Sequence, residues 1–120
     1  MKLAITSDGS DLTSRVAARF GRARYFITYD VDSGEVEAID NAQNLYAPQG
    51  AGIQAARNVA DAGVQALITG NVGPRAFTAL QAASVAVYLE AAGTVGEAIE
   101  RYKAGELEPT EGSNVEGHWV

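Results

Sequence analysis

The residues of this chain best placed to do chemistry are arginines and glycines. Arg15, Arg19 and Arg22 sit close together, and Gly70, Asn71, Gly73 and Arg75 crowd a second short stretch. Guanidinium groups offer charge-assisted hydrogen bonds to an anion. A glycine turn that feeds a helix points backbone N–H groups and the positive helix end the same way. Val64 to Arg75 reads as a buried strand (Ala66 to Thr69), a glycine turn, and a helix opened by Pro74, where the missing N–H of proline does no harm. Gly50 and Gly52 open another helix in the same manner. The chemistry on offer is anion holding. A plain βα connection, with glycines serving geometry alone, explains the turn equally well, because such a short motif is weak by itself.

Nucleophiles and bases are scarce. Cysteine is absent and the one histidine, His118, lies near the end of the chain. Disulfides, thiolate-held iron–sulfur clusters and Cys zinc sites are therefore excluded, and a cytoplasmic location is expected. Met1-Lys2 runs directly into strand-like Leu3-Ala4-Ile5 rather than into a signal sequence. No run approaches the roughly 20 apolar residues of a membrane span. Asp8 and Asp11 follow the first strand, where a two-metal nuclease would place carboxylates. Such an enzyme needs several of them converging on the metals, and Gly70-Asn71 stands after the fourth strand instead. The chain is read as not an enzyme.

Charge distribution says more than its sum. The 120 residues carry a net charge of -6. Residues 1–25 hold Lys2, Arg15, Arg19, Arg22 and Arg24 against Asp8 and Asp11, a net of +3, whereas residues 85–120 come to −5. A compact anion could use that basic region. A long polyanion would meet repulsion elsewhere, so no nucleic-acid partner is expected. The arginines have an ordinary alternative in surface pairs with Asp8, Asp11 or Asp61, which are common and weak. Arg24 opens a strand and is expected to face solvent. Asn44 and Tyr46 are rim candidates in a loop. His118 with Glu116 could reach a metal, but beside Trp119 in a tail the plainer reading is preferred.

The elements that must position these groups follow from pattern. Lys2–Thr6, Arg24–Asp30, Glu35–Ile39, Ala66–Thr69 and Ser84–Tyr88 read as strands, the third alternating polar and apolar with one wet face. Val16-Ala17-Ala18 adds a helical turn. A helix from Gly50 places Ile53, Ala56, Val59 and Ala60 on one stripe and stops at Gly63. A second runs from Pro74 to Leu80. A third, Val95–Tyr102, has Thr94 as N-cap with Glu97 completing a capping box, and Gly105 ends it. Right-handed crossovers then give a five-stranded mixed sheet in the order 3-2-1-4-5, with strand 2 antiparallel. Its topological switch point lies at the carboxyl ends of strands 1 and 4, where open α/β sheets bind ligands. Residues 7–22, 47–52, 70–75 and 90–94 should meet there. One domain spans residues 1–108, and residues 109–120 form a loosely held tail.

The chain resembles the dinitrogenase iron–molybdenum cofactor biosynthesis family, which includes NifX, the C-terminal part of NifB, and the orange proteins that hold a molybdenum–copper sulfide cluster. The resemblance rests on Lys2-Leu3-Ala4-Ile5, Arg19-Phe20-Gly21-Arg22, Gly50-Ala51-Gly52 and Leu67-Ile68-Thr69-Gly70-Asn71-Val72-Gly73-Pro74, continuing through Thr94-Val95-Gly96-Glu97-Ala98-Ile99 and Gly105-Glu106-Leu107. It implies a ribonuclease H-like three-layer α/β sandwich. It also implies binding, carriage or assembly of an anionic metal–sulfur cluster containing molybdenum with iron or copper, and a protein partner in cofactor assembly. A regulatory or scaffold module that binds a protein without a cluster is the alternative. Several members place Cys or His near the site. This chain does not, which leaves outer-sphere holding by Arg15, Arg19, Arg22 and Arg75 with the backbone at Gly50, Gly52, Gly70, Asn71 and Gly73.

Overall fold

The computed structural model describes residues 1–42, 51–89 and 91–112. Five strands form one sheet: β1 (Lys2–Ser7), β2 (Tyr25–Asp30), β3 (Val36–Asp40), β4 (Ala66–Ile68) and β5 (Ala86–Tyr88). Among the described residues three α-helices, α1 (Ala51–Asp61), α2 (Pro74–Ala82) and α3 (Val95–Lys103), alternate with the later strands. The sheet order is β3-β2-β1-β4-β5. β2 is antiparallel to both neighbours, and β1, β4 and β5 run parallel. This is the mixed sheet expected from the connections.

Alternation along β1 splits the core in two. Leu3 and Ile5 face α3, where they pack with Ile27, Ile68, Val95 and Ile99. Ala4 faces the other way and joins Val59, Leu67, Phe77, Leu80 and Val87 beneath α1 and α2. With helices on both faces, β4 is wholly buried and reads as an unbroken apolar run rather than an alternating one. The result is the three-layer sandwich. No described helix is long and apolar enough to cross a membrane.

Several local expectations hold and several change. Gly63 and Gly105 end their helices with φ of 78° and 73°, the left-handed conformation that glycine adopts without strain. At α3, the Thr94 hydroxyl accepts from the Glu97 N–H and the Glu97 carboxylate accepts from the Thr94 N–H, a complete capping box. Val16-Ala17-Ala18 is not helical. Val16 pairs with Ser7, and the Ala17 N–H donates to the Thr6 carbonyl, so this stretch is an extended strap. The only helical turn between β1 and β2 is a 3-10 turn at Phe20–Arg22. On α1 the buried stripe is Gly52, Ala55, Ala56 and Val59 rather than one led by Ile53. The cause is the close approach of α2: a Cβ on Gly52 would sit 3.1 Å from that of Ala76. The bulkier Ile53 is thereby left at the rim.

β3 is wetter than expected. Only Ile39 is half-buried on this edge strand. At the opposite edge the Thr110 N–H donates to the Val87 carbonyl over 2.7 Å, and Leu107 packs with the α3-side core.

The capping box carries a pH signature. The Thr94 N–H holds the Glu97 carboxyl below its ordinary 4.5, assisted by the Thr94 hydroxyl, Arg101 and Arg15. A depressed carboxyl stabilises the fold above its unfolded pKa, and that contribution is lost as pH falls through the folded value. Unfolding free energy should therefore decline below pH 4.5 more steeply in the parent than in Glu97→Gln, measured by denaturant titration at stepped pH.

Candidate functional site

The site is built on the carboxyl ends of β1 and β4, where the chain runs through Ile-Thr each time: Ile5-Thr6 within β1, and Ile68 at the end of β4 followed by Thr69. Thr6 and Thr69 are fully buried side by side, their hydroxyls 2.9 Å apart. The Thr6 hydroxyl also donates to the Ala17 carbonyl at 2.9 Å, while the Ala17 N–H returns to the Thr6 carbonyl. The chain after β1 thus loops out and comes back across the strand ends. Its outer turn is closed by Asp11, whose carboxylate accepts from both the N–H and the hydroxyl of Thr13. Those bonds hold the Asp11 carboxyl below its usual range.

Both flanks of the strap are fastened. Toward β4, the Asn71 N–H donates to the Ala18 carbonyl over 2.6 Å, the Asn71 side-chain amide donates to the same oxygen, and the Phe20 N–H donates to the Asn71 carbonyl. Gly70 is glycine because of this approach: a Cβ there would lie 2.6 Å from the Ala18 oxygen. Toward α3, the Val16 N–H donates to the Gly93 carbonyl, and the Val95 and Gly96 N–H groups donate to the carbonyls of Ser14 and Leu12. A third contact comes from the 3-10 turn, where a Cβ on Gly21 would stand 2.8 Å from the Gly52 nitrogen.

The strap therefore joins the segments expected at the switch point. It touches Gly52 at the start of α1, Gly70 and Asn71 after β4, and Gly93 and Thr94 before α3. Gly50, Asn44, Tyr46, Glu116 and His118 lie outside the described residues. Arg19 is exposed with its backbone paired to Asn71, and Arg22 is half-buried one residue beyond Gly21. Arg15 is exposed opposite Thr94, where its charge helps to depress Glu97. Arg75 is exposed in the first turn of α2. Neither Arg15 nor Arg75 forms an ion pair with Asp8, Asp11 or Asp61. Arg24 is taken up elsewhere, bonded to Asp40 at 2.8 Å and lying over the Tyr25 ring.

The expectation of a glycine turn whose N–H groups point at a ligand needs correcting at one residue. The Asn71 N–H is committed to the chain's own Ala18 carbonyl. What Asn71 gives the site is the position of the strap. The N-terminus of α3 is likewise filled by strap carbonyls, whereas α2 starts at Gly73 with no side-chain cap. Sequence reasoning also missed the Thr6–Thr69 pair. Its one signal was the matched Ile-Thr at the carboxyl ends of both central strands.

The strap crosses the switch point of a five-stranded mixed sheet in a three-layer α/β sandwich, the place where open α/β sheets bind ligands. Residues 1–105 match the dinitrogenase iron-molybdenum cofactor family, and the chain belongs to it. The apo form of the orange protein from Desulfovibrio gigas superposes with a TM-score of 0.93 at 38% identity, over 95% of this chain and 96% of that one. A NifB-like protein from Thermotoga gives 0.79 at 44% identity, over 90% and 91%. An uncharacterised Methanocaldococcus jannaschii protein is 31% identical over 115 residues, 92% of each chain.

Gly70→Ala tests the strap. The added methyl collides with the Ala18 carbonyl, so stability should fall by about 1–3 kcal/mol, as for overpacking, with amide shifts spreading through residues 15–20. Gly112→Ala, which meets nothing within 4 Å and has no positive φ, should leave both unchanged in the same denaturation and NMR measurements.

Proposed function

We propose that this protein binds a preassembled anionic metal–sulfur cluster, or a related thiometallate, at the β1/β4 crevice and carries it toward cofactor assembly. The observation that supports this most is the fastened strap. Arg15 and Arg19 sit on a segment hydrogen-bonded on both flanks, and Arg22 follows in a turn packed on α1. Much of the backbone ordering that an anion would otherwise impose on binding is already complete in the fold.

The donor set fits a complete anion better than a bare metal ion. Guanidinium and amide N–H groups are hydrogen-bond donors and cannot ligate a cation. Among the described residues no group of three His, Cys, Asp or Glu is arranged to hold one. The role derived for the chain is therefore outer-sphere. Arg19 and Arg22 donate to terminal sulfides or oxo groups, and Arg15 adds long-range charge from the α3 side. The uncapped start of α2 adds a positive helix end. The likeness to the orange protein and to NifB-like proteins favours a cluster over a simple phosphate.

Reconstitution tests this reading. Metal-free protein mixed with tetrathiomolybdate and copper should develop visible absorption bands that co-elute with it on gel filtration. Hydrogen bonds to charged groups contribute about 1.5–3 kcal/mol, so Arg19→Ala and Arg22→Ala should each weaken retention roughly tenfold or more. No retained chromophore, or variants that match the parent, would sink the reading.

A further inference from the structure

The outer face of α1 and α2 carries features that the crevice does not use. Between the two helices runs an open groove of about 450 Å³, lined by Ile53, Pro74, Arg75, Thr78, Ala79 and Ala82. Its floor is apolar, and Thr78 turns its hydroxyl away to the Pro74 carbonyl. Ile53 stands at its rim because Gly52, Ala55 and Ala56 occupy the contact with α2. Exposed Ala82 and half-buried Ala79 add no bulk above the floor, so another backbone can approach closely.

The charge around this groove is opposite to that of the molecule. Arg57 on α1 and Arg75 on α2 are exposed and make no hydrogen bond or ion pair among the described residues. Asp61 is the one acid on the two helices. Across the sheet, by contrast, α3 and the chain after it carry Glu97, Glu100, Glu106, Glu108 and Glu111. In a protein of net charge -6 this is a basic, apolar face. A partner that complements it must bring both an apolar ridge and negative charge.

We propose that the α1/α2 groove docks an acidic amphipathic helix of a partner protein. α1 has 11 residues and α2 has 9, so at 1.5 Å per residue the groove accepts about two to three turns. Apolar residues at i, i+3 or i+4 and i+7 would lie along Ile53, Ala79 and Ala82, with Glu or Asp flanking toward Arg57 and Arg75. The groove begins at Pro74 and Arg75, the end of the turn that bounds the crevice. A helix seated there stands at the edge of the cluster site, as a donor or acceptor of cargo must. The docking surface does not depend on the crevice binding a cluster.

The test uses the full metal-free chain, labelled with nitrogen-15. It is titrated with a synthetic helix-forming peptide carrying Leu at those spacings and Glu on its flanks, and with a twin in which every Glu is Lys. The acidic peptide should shift the amides of Ile53, Arg57, Thr78, Ala79 and Ala82 and bind at least tenfold more tightly than the Lys twin. Arg57→Glu should weaken the acidic peptide roughly fivefold, while leaving tetrathiomolybdate retention at the parent level. No shift up to millimolar peptide would overturn the proposal, and so would equal affinity for both peptides or shifts confined to the β3 edge or α3. A dimer in sedimentation that Ala82→Arg dissolves would also overturn it, because a second copy would then be the occupant. Loss of tetrathiomolybdate retention in the parent would count against the cluster reading alone.

Discussion

The Ala18 carbonyl is the point on which the site depends. It accepts from the backbone and the side chain of Asn71, and it passes so close to Gly70 that no side chain fits between. That single approach converts the polar stretch after β1 from a surface loop into a strap across two strand ends. The arginines inherit their placement from it. Beneath, Thr6 and Thr69 fill the gap between the strand ends and tie the Ala17 carbonyl down, so the strap is held from below as well as from the sides. Buried hydroxyls without such partners would each destabilise the fold. Here every buried side-chain polar atom among the described residues has one.

The same hydrogen bonds bear on where the proposed anion could sit. Helix N-termini attract anions because their first N–H groups lack intrahelical partners. At α3 those groups are bonded to Leu12 and Ser14, and the Glu97 carboxylate already lies on the Thr94 N–H. The start of α3 is therefore structurally occupied and locally acidic. α2 begins with Gly73 and Pro74 and no side-chain cap, next to Arg19 and Asn71 across the turn. The two helix starts therefore differ: that of α3 is occupied by strap carbonyls and that of α2 has no side-chain cap. Arg15 stands on the other flank, where its charge helps to hold the Glu97 carboxyl down.

Most of the architecture was legible in the sequence because it follows from period and punctuation. Strand order came from chain connectivity and crossover handedness, and the capping box at Thr94 and Glu97 and the stops at Gly63 and Gly105 are local chemistry. What was not legible depends on long-range packing. The strap at Val16–Ala18 carries apolar residues that fit a helical turn equally well; only pairing with Ser7, Thr6 and Asn71 makes it extended. The buried stripe of α1 shifted from Ile53 to Gly52 and Ala55 because proximity of α2 favours small residues over apolar ones. Gly70 was visible as a glycine, but its reason, the Ala18 carbonyl, lies 52 positions away.

A division of labour follows from this arrangement. The N–H groups of Asn71, Val95 and Gly96 are already bonded within the fold, so in the proposed role the holding of an anion would fall largely to long side chains at the surface. In the proposed role, guanidinium groups on this frame would hold cargo by hydrogen bonds and charge, with no metal–ligand bond to break on release. Exchange would then be governed by how the surrounding charge changes when another protein approaches. A negatively charged partner at the α1/α2 face would compete with the cargo for Arg75 and lower the local positive potential. Arg75, in the first turn of α2 and in the lining of the groove, would then be the residue through which the proposed partner weakens the hold that Arg19 and Arg22 keep on the cargo.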